Sequence, residues 1–490
     1  MPRIDASLQA RLHAIHDAPQ GAQIAACFDL DGTLIDGFSA IAYLRNRIRH
    51  RQLGLRELSE LLTFSLSHGG SDTDFHEIME GSARRCRGMT EEALAKTWQG
   101  LFNKELARTL YPEACALVRA HLQRGHTVVI ATSATRYQAL PFARELGIEH
   151  ILCSELEVHD GVLTGELANI PPWAAGKAEI VKRFARGHAI DLATSYAYSN
   201  GGEDVAFLET VGHPMTLNAD RRLAAVARAR SWPQARFTPR KHVPLVDKLR
   251  TAASYGAMAS AFVGGLAWYV GGGKRQQAVN LIAGTATDFG LAAAHIELHI
   301  LGEENLWAWR PAVFIINHQS QLDFVIGMNL MRRDATGVAK KEAAHVPGFG
   351  QFMQFAGMAF VDRHNTRAAI NALAPAVAKL KAGLSLGIAP EGTRSYSGRL
   401  GPFKKGAFHI AMQAGVPIVP IVIRNAWEHM HRSSQWMRPG VVDIAVLPGI
   451  DVSSWKVRDL DRHIAAVRQR YIDLLDDWPD DEAALRAVTA

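Results

Sequence analysis

The 490-residue chain is 48% apolar and 21% charged, ordinary for a globular protein, which excludes a disordered or fibrous chain. A mean hydropathy of -0.04 excludes a polytopic transporter. The 54 basic and 48 acidic residues leave a net charge of +6, an excess too small to imply nucleic acid by itself.

Roughly three domains of about 150 residues are expected from the length. Residues 20–235 alternate apolar strand-like runs with helical patterns, which argues for an α/β domain. Strands are predicted at 24–30, 127–131 and 194–199. The stretch 40–120 between the first two reads as a helical insertion, or cap. Cys27, Cys86, Cys115 and Cys153 form no CxxC pair, so a zinc site is not expected and buried thiols in a reducing compartment are. The first residues lack the apolar core of a secretory signal.

Residues 221–250 hold nine basic residues and one acid, Asp247. The uncharged run 251–273 follows, long enough to span a bilayer. A second apolar stretch, 278–301, is interrupted by Asp288 and Glu297. A polybasic block beside an apolar run reads as a membrane surface segment; the competing reading is a buried hairpin. A third region, 302–455, is again α/β, with strands near 312–316, 385–389 and 416–423. The tail, 456–490, reads as a charged, solvated helix.

Two constellations carry chemistry. AACFDLDGT places Asp29 and Asp31 at the end of an apolar strand, on one side of it by strand periodicity. Gly32 permits a sharp turn, and Thr33 can bond the loop backbone. Paired carboxylates at a strand end suit a divalent cation and phosphate chemistry. Farther on, INHQSQLD places His318 five residues before Asp323, a carboxylate that can fix the imidazole tautomer and raise its basicity. Ser320 and Asp323 also form an S-x-x-D helix cap, which explains Asp323 but not His318.

The DxDGT run resembles the first motif of the haloacid-dehalogenase superfamily, and the long insertion after it resembles the cap of the phosphoserine-phosphatase-like branch. That resemblance implies a Rossmann-like domain in which Asp29 attacks phosphorus and Asp31 is the general acid and base. It implies phosphate binding by Thr132, with Ser133 as the alternative register, and by Lys177. It implies Mg²⁺ held by Asp29, Asp31 through its backbone carbonyl, Asn200 and Asp204. Asn200 stands where that superfamily usually has Asp, so a non-catalytic regulatory domain stays open, as does a soluble substrate such as phosphoserine.

The third region resembles the 1-acyl-sn-glycerol-3-phosphate acyltransferases. Its blocks are Asn317, His318, Ser320 and Asp323; then Lys341, Pro347, Gly350, Gly357, Phe360 and Arg363; then Pro390, Glu391, Gly392, Thr393, Arg394 and Ser395; then an apolar strand with Pro417 and Pro420. The resemblance implies acyl transfer from acyl-CoA or acyl carrier protein to lysophosphatidic acid. His318 would be the base and Asp323 its orienting partner. Arg363 and Arg394 would bind the acceptor phosphate, with Lys341 and Lys404 as weaker candidates. Glu391, Gly392 and Thr393 would line the acceptor pocket. The expectation is a membrane-associated enzyme whose catalytic domains face the cytoplasm, anchored by a monotopic or re-entrant segment within 236–301.

Overall fold

A computed structural model describes residues 6–49, 72–239, 242–345, 349–361 and 374–489. They form two compact units, which divide between His242 and Val243.

The first unit is built on a six-stranded parallel sheet with order β3-β2-β1-β6-β7-β8. The strands are β1 (Ala25–Phe28), β2 (Thr127–Thr135), β3 (His150–Ser154), β6 (Tyr196–Ser199), β7 (His213–Leu217) and β8 (Gln234–Ala235). β1 is central and every residue in it is buried, as a continuous apolar run in a two-sided parallel sheet requires. A hairpin of β4 (Leu156–His159) and β5 (Val162–Leu167) stands apart from the sheet. The insertion holds helices α1 (Ser39–Arg49), α2 (Asp72–Arg85) and α3 (Glu91–Leu101). It ends before the expected limit of 120. Helix α4 (Pro112–Gln123) buries Ala114, Leu117, Val118 and His121 and belongs to the sheet layer.

The nine basic residues of 221–250 do not form one block. Four of them, Arg221, Arg222, Arg228 and Arg230, sit on helix α6 (Arg221–Ala229) or at its end, in the first unit. α6 is amphipathic and buries Leu223, Ala224 and Ala227. Arg230 pairs with Glu209, and Arg236 donates to the Ala219 carbonyl. Arg240 and Lys241 lie outside the described residues.

The second unit has a seven-stranded sheet with order β12-β11-β13-β10-β14-β15-β9. Its strands are β9 (Ile296–Leu301), β10 (Val313–Ile316), β11 (Ala335–Lys340), β12 (Ala359–Val361), β13 (Ser385–Ile388), β14 (Ile418–Ile423) and β15 (Gly440–Val446). Only the β14–β15 pair is antiparallel. Phe314, Ile316, Ile421 and Ile444 pack on one face, and Val313, Ile315, Ile418 and Phe408 on the other.

Two expectations are corrected here. The stretch 278–301 is not one apolar helix. Helix α8 (Arg275–Ala294) stops at His295, whose φ of 55° is left-handed, and Ile296 then opens β9, an edge strand paired with β15. The tail is not a solvated face either. Helix α11 (Leu460–Asp476) buries Leu460, Ile464, Val467, Tyr471 and Leu474, and the Tyr471 hydroxyl donates to the Ile315 carbonyl of the central strand at 2.6 Å.

Helix α7 (Leu245–Val270, 26 residues) and α8 form a hairpin. Among the described residues no helix is long and apolar enough to cross a membrane. Gly, Ala, Ser and Thr dilute the apolar residues of the run 251–273. Small residues instead let the helices approach: a Cβ on Gly290 would lie 2.4 Å from Met258 Cε, and one on Gly265 would lie 2.2 Å from Ile282 Cγ1. The Ser254 hydroxyl donates to the Gly290 carbonyl at 2.7 Å. Arg275 donates to the carbonyls of Phe355 and Gln354, at 2.8 and 3.0 Å.

Candidate active sites

In the first unit the chain leaves β1 at Phe28 and turns at Gly32, with φ 81°. A Cβ there would collide with the Asn200 amide, 2.2 Å away, so glycine brings the β1 and β6 loops together. Lys177, near the start of helix α5 (Ala175–Gly187), donates to Asp29 Oδ1 at 2.9 Å and to Asp204 Oδ2 at 2.6 Å. All three side chains are at most 10% exposed. Thr33 Oγ1 lies 3.2 Å from Asp29 Oδ2 and 3.0 Å from Asn200 Oδ1. It therefore bonds side chains rather than the loop backbone expected of it.

Burial pushes the Asp29 carboxyl above its ordinary range, against the pull of Lys177. Burial works against the Lys177 ammonium too, but Asp204 and Asp29 more than offset it and hold its pKa high. Asp31 stands slightly apart. Its Oδ1 accepts from Ser39 N–H at 2.7 Å and its Oδ2 from Ser39 Oγ–H at 3.1 Å. Burial pushes its pKa up to about 7, which suits a group that must give and take a proton near neutrality. Thr132 is buried inside β2, and its hydroxyl accepts from Ala134 N–H at 3.1 Å.

Asp29, Asn200, Asp204 and the Asp31 carbonyl make an all-oxygen donor set. No three or more His, Cys, Asp or Glu among the described residues are placed to hold a metal, so the amide and the carbonyl are needed to complete one. Asp204 Oδ1 is buried without a hydrogen-bond partner. An orphaned carboxylate oxygen beside other oxygens fits a hard divalent cation.

In the second unit the turn after β10 carries Asn317 and His318. Asn317 is pinned to β14: its amide donates to the Ile423 carbonyl at 2.8 Å and accepts from Ile423 N–H at 2.7 Å. His318 Nδ1 lies 2.8 Å from Asp323 Oδ2. The same oxygen accepts from the N–H groups of Gln319 and Ser320, at 2.7 and 2.8 Å. Asp323 thus ties the turn together and holds the imidazole at once, although the helix that follows, starting at Leu322, has Gln321 at its N-cap and no side-chain cap.

Glu391 is placed differently from expectation. It does not line the pocket; its two oxygens accept from His318 N–H at 2.6 Å and Gly401 N–H at 2.7 Å. It braces the catalytic turn from behind, and burial pushes its pKa up to about 7. Gly392, with φ 70°, makes room for Lys404, whose Nζ would lie 2.8 Å from a Cβ at that position.

These loops open on a cavity of about 1570 Å³. Its lining mixes His318, Thr393, Arg394, Lys404 and Arg432 with Phe324, Met328, Met331, Phe352, Met358 and Ile388. A hollow that offers both polar and apolar groups suits an amphiphile. Lys341 is exposed and off the wall, while its neighbour Lys340 is on it. Arg363 and Pro347 lie outside the described residues. Sequence reasoning missed Ser39, Ser199, whose hydroxyl donates to Asp204 Oδ2 at 2.5 Å, and Arg432. None of the three belongs to a spacing motif; each acts through the fold.

Two family models match the chain: haloacid dehalogenase-like hydrolase over residues 26–209, and acyltransferase over residues 297–424. A 1-acyl-sn-glycerol-3-phosphate acyltransferase from Cocos nucifera is 37% identical over 165 residues, 34% of this chain and 54% of that protein. The chain thus spans about half the length of that relative. One of the same description from Salmonella typhimurium is 36% identical over 169 residues, 34% of this chain and 68% of that protein. An "inhibition of morphological differentiation protein" from Streptomyces azureus is 31% identical over 262 residues, 50% of this chain and 92% of that protein. The chain therefore belongs to the 1-acyl-sn-glycerol-3-phosphate acyltransferase family, and ahead of that domain it carries a segment, residues 26–209, that matches the haloacid dehalogenase-like hydrolases.

Proposed function

We propose that the chain is a membrane-associated enzyme of phospholipid synthesis. Its second unit transfers an acyl chain from a thioester, acyl-CoA or acyl carrier protein, to 1-acyl-sn-glycerol-3-phosphate, giving phosphatidic acid. Its first unit is a Mg²⁺-dependent phosphomonoester hydrolase. The observation that carries the reading is the His318–Asp323 pair, 2.8 Å apart, opening on an amphipathic cavity.

With Nδ1 bonded to Asp323, His318 Nε2 is the base. It takes the proton of the acceptor hydroxyl as that oxygen attacks the thioester carbonyl. The C–S bond then breaks, and the imidazolium returns the proton to the leaving thiolate. No acyl-enzyme is needed. Arg394 and Lys404 supply positive charge for the acceptor phosphate.

In the first unit Asp29 attacks phosphorus, and the protonated Asp31 carboxyl gives its proton to the departing alkoxide. Asp31 then takes a proton from the water that hydrolyses the aspartyl-phosphate. Lys177 holds Asp29 in place and neutralises charge. Mg²⁺, when bound by Asp29, Asn200, Asp204 and the Asp31 carbonyl, supplies electrostatic stabilisation of the transferring phosphoryl group.

Membrane association rests on the helical hairpin. Val263, Trp268, Val270 and Phe289 are exposed, and Lys248, Arg250, Lys274 and Arg275 flank them. That pairing of apolar and basic side chains suits one leaflet of an anionic bilayer, with both units on its cytoplasmic side.

The test is purified protein with lysophosphatidate, an acyl thioester and Mg²⁺, following phosphatidate and free phosphate. Phosphatidate formation lost on omitting the thioester supports the acyl arm. Phosphate release lost on chelating Mg²⁺ supports the other. Absence of phosphatidate refutes the acyl arm, and absence of phosphate from both lysophosphatidate and phosphoserine refutes the other.

A further inference from the structure

We infer that Arg432 is a specificity-determining residue of the acyl site, reading the acceptor's phosphate together with Arg394 and Lys404. The inference rests on the acyl-transfer reading above. Arg432 lies beyond the stretch matched to the acyltransferase family, which ends at residue 424.

Its backbone is stitched to the catalytic turn. Ser320 pairs with His431 in an isolated antiparallel bridge. The Ser320 hydroxyl donates to the Met430 carbonyl at 2.5 Å, and Gln321 Nε2 donates to the Arg432 carbonyl at 3.4 Å. Its side chain is fixed to the other catalytic loop. Nη1 donates to the Arg394 carbonyl, and the guanidinium carbon lies 3.9 Å from the centre of the Tyr396 ring. Arg432 thus bridges the His318 turn and the loop 390–395, on the wall that carries His318, Arg394 and Lys404.

The chemistry follows from these partners. A carbonyl and a ring face are both neutral, so neither cancels the guanidinium charge. A stacked guanidinium has already lost much of its rotamer freedom and can bind an oxyanion at smaller entropic cost than a free arginine. Arg432, Arg394 and Lys404 line the same cavity as the catalytic base, and cations there suit a phosphomonoester, which carries close to two negative charges and presents three oxygens. A neutral headgroup would not balance the Arg432 charge.

The experiment uses the full chain with acceptor in mixed micelles, and inorganic phosphate as a competitor of the headgroup. Arg432→Gln should raise KM for 1-acyl-sn-glycerol-3-phosphate about tenfold to a hundredfold, the range for losing one charge-assisted hydrogen bond. kcat should change less than threefold, and the inhibition constant of phosphate should rise in parallel with KM. Arg432→Lys should recover part of the loss. Tyr396→Leu should shift KM the same way, and its effect should disappear in the Arg432→Gln background. A fall in kcat with KM and phosphate inhibition unchanged would make Arg432 a structural strut and overturn the inference. Unchanged kinetics in Arg432→Gln would overturn it as well. Loss of transfer in His318→Ala, run alongside, checks the acyl-transfer reading separately; wild-type protein with no transfer would overturn both.

Discussion

The two sites solve the same problem, holding a carboxylate beside a base or cation, in opposite ways. In the first unit, charges are buried and satisfy one another: Lys177 is 4% exposed, Asp204 1% and Asp29 10%. In the second, Asp323 is buried, at 4%, but its partner His318 is 25% exposed and faces a wide cavity. Asp323 Oδ2 keeps two backbone N–H donors without its partner, while Oδ1 has no hydrogen-bond partner even with it. The first arrangement couples catalysis to folding. The second separates them. Removing one partner should therefore unfold one unit and merely silence the other.

The largest effect is expected from Lys177→Met. It strands Asp29 and Asp204 in the interior, which costs about 3–5 kcal/mol for a broken buried pair. Calorimetry should show one transition moving down, with the other in place. An unshifted first transition would mean that water or a cation takes over from the ammonium.

Asp323→Asn should leave both transitions within a degree or two, because the amide oxygen can still accept the turn's N–H groups. Acyl transfer should fall by about a hundredfold to ten-thousandfold, the range for a mis-set general base. Destabilisation as large as that of Lys177→Met would erase the contrast between the sites.

The hairpin offers a third comparison. Deleting residues 251–301 would remove β9 and the buried face of α8, so point changes are the better test. Val263→Ser, Val270→Ser and Phe289→Ser together should lower partition onto anionic vesicles about tenfold or more, from lost apolar burial, with the transitions unmoved. Wild-type partition in the triple variant would place the lipid-facing surface elsewhere.

The smallest effect concerns Glu391. Burial raises its pKa from 4.5 to about 7, so the fold favours its protonated form. The stability it contributes is present below about pH 4.5 and is lost as pH rises through about 7. Glu391→Gln does not titrate. The melting temperature of the second unit in wild type, relative to that variant, should therefore fall between pH 5 and pH 8. A difference that is flat or rises with pH would show Glu391 ionised throughout.

Local sequence carried the motifs and lost what depends on distant partners. β1 and the turn after it were legible because an unbroken apolar run ends in DxDG. His318 and Asp323 were legible because they stand five positions apart in one short run. β9 was not, since no Gly or Pro separates it from the helix before it; the break is His295, in a left-handed conformation uncommon outside glycine. The core role of α11 was hidden by its charge, although Leu460, Ile464, Val467, Tyr471 and Leu474 follow helical spacing. Glu391 was misplaced because its partners, His318 and Gly401, meet it only in the folded sheet.

The central claim is that one chain carries two independent reactions. Its most direct test is reciprocal inactivation, following phosphatidate and free phosphate from lysophosphatidate in the same reaction mixture. His318→Ala should abolish phosphatidate formation and leave phosphate release at the wild-type rate. Asp29→Asn should do the reverse. If either variant loses both products, or if Asp29→Asn still releases phosphate, the two sites are not the separate catalysts described.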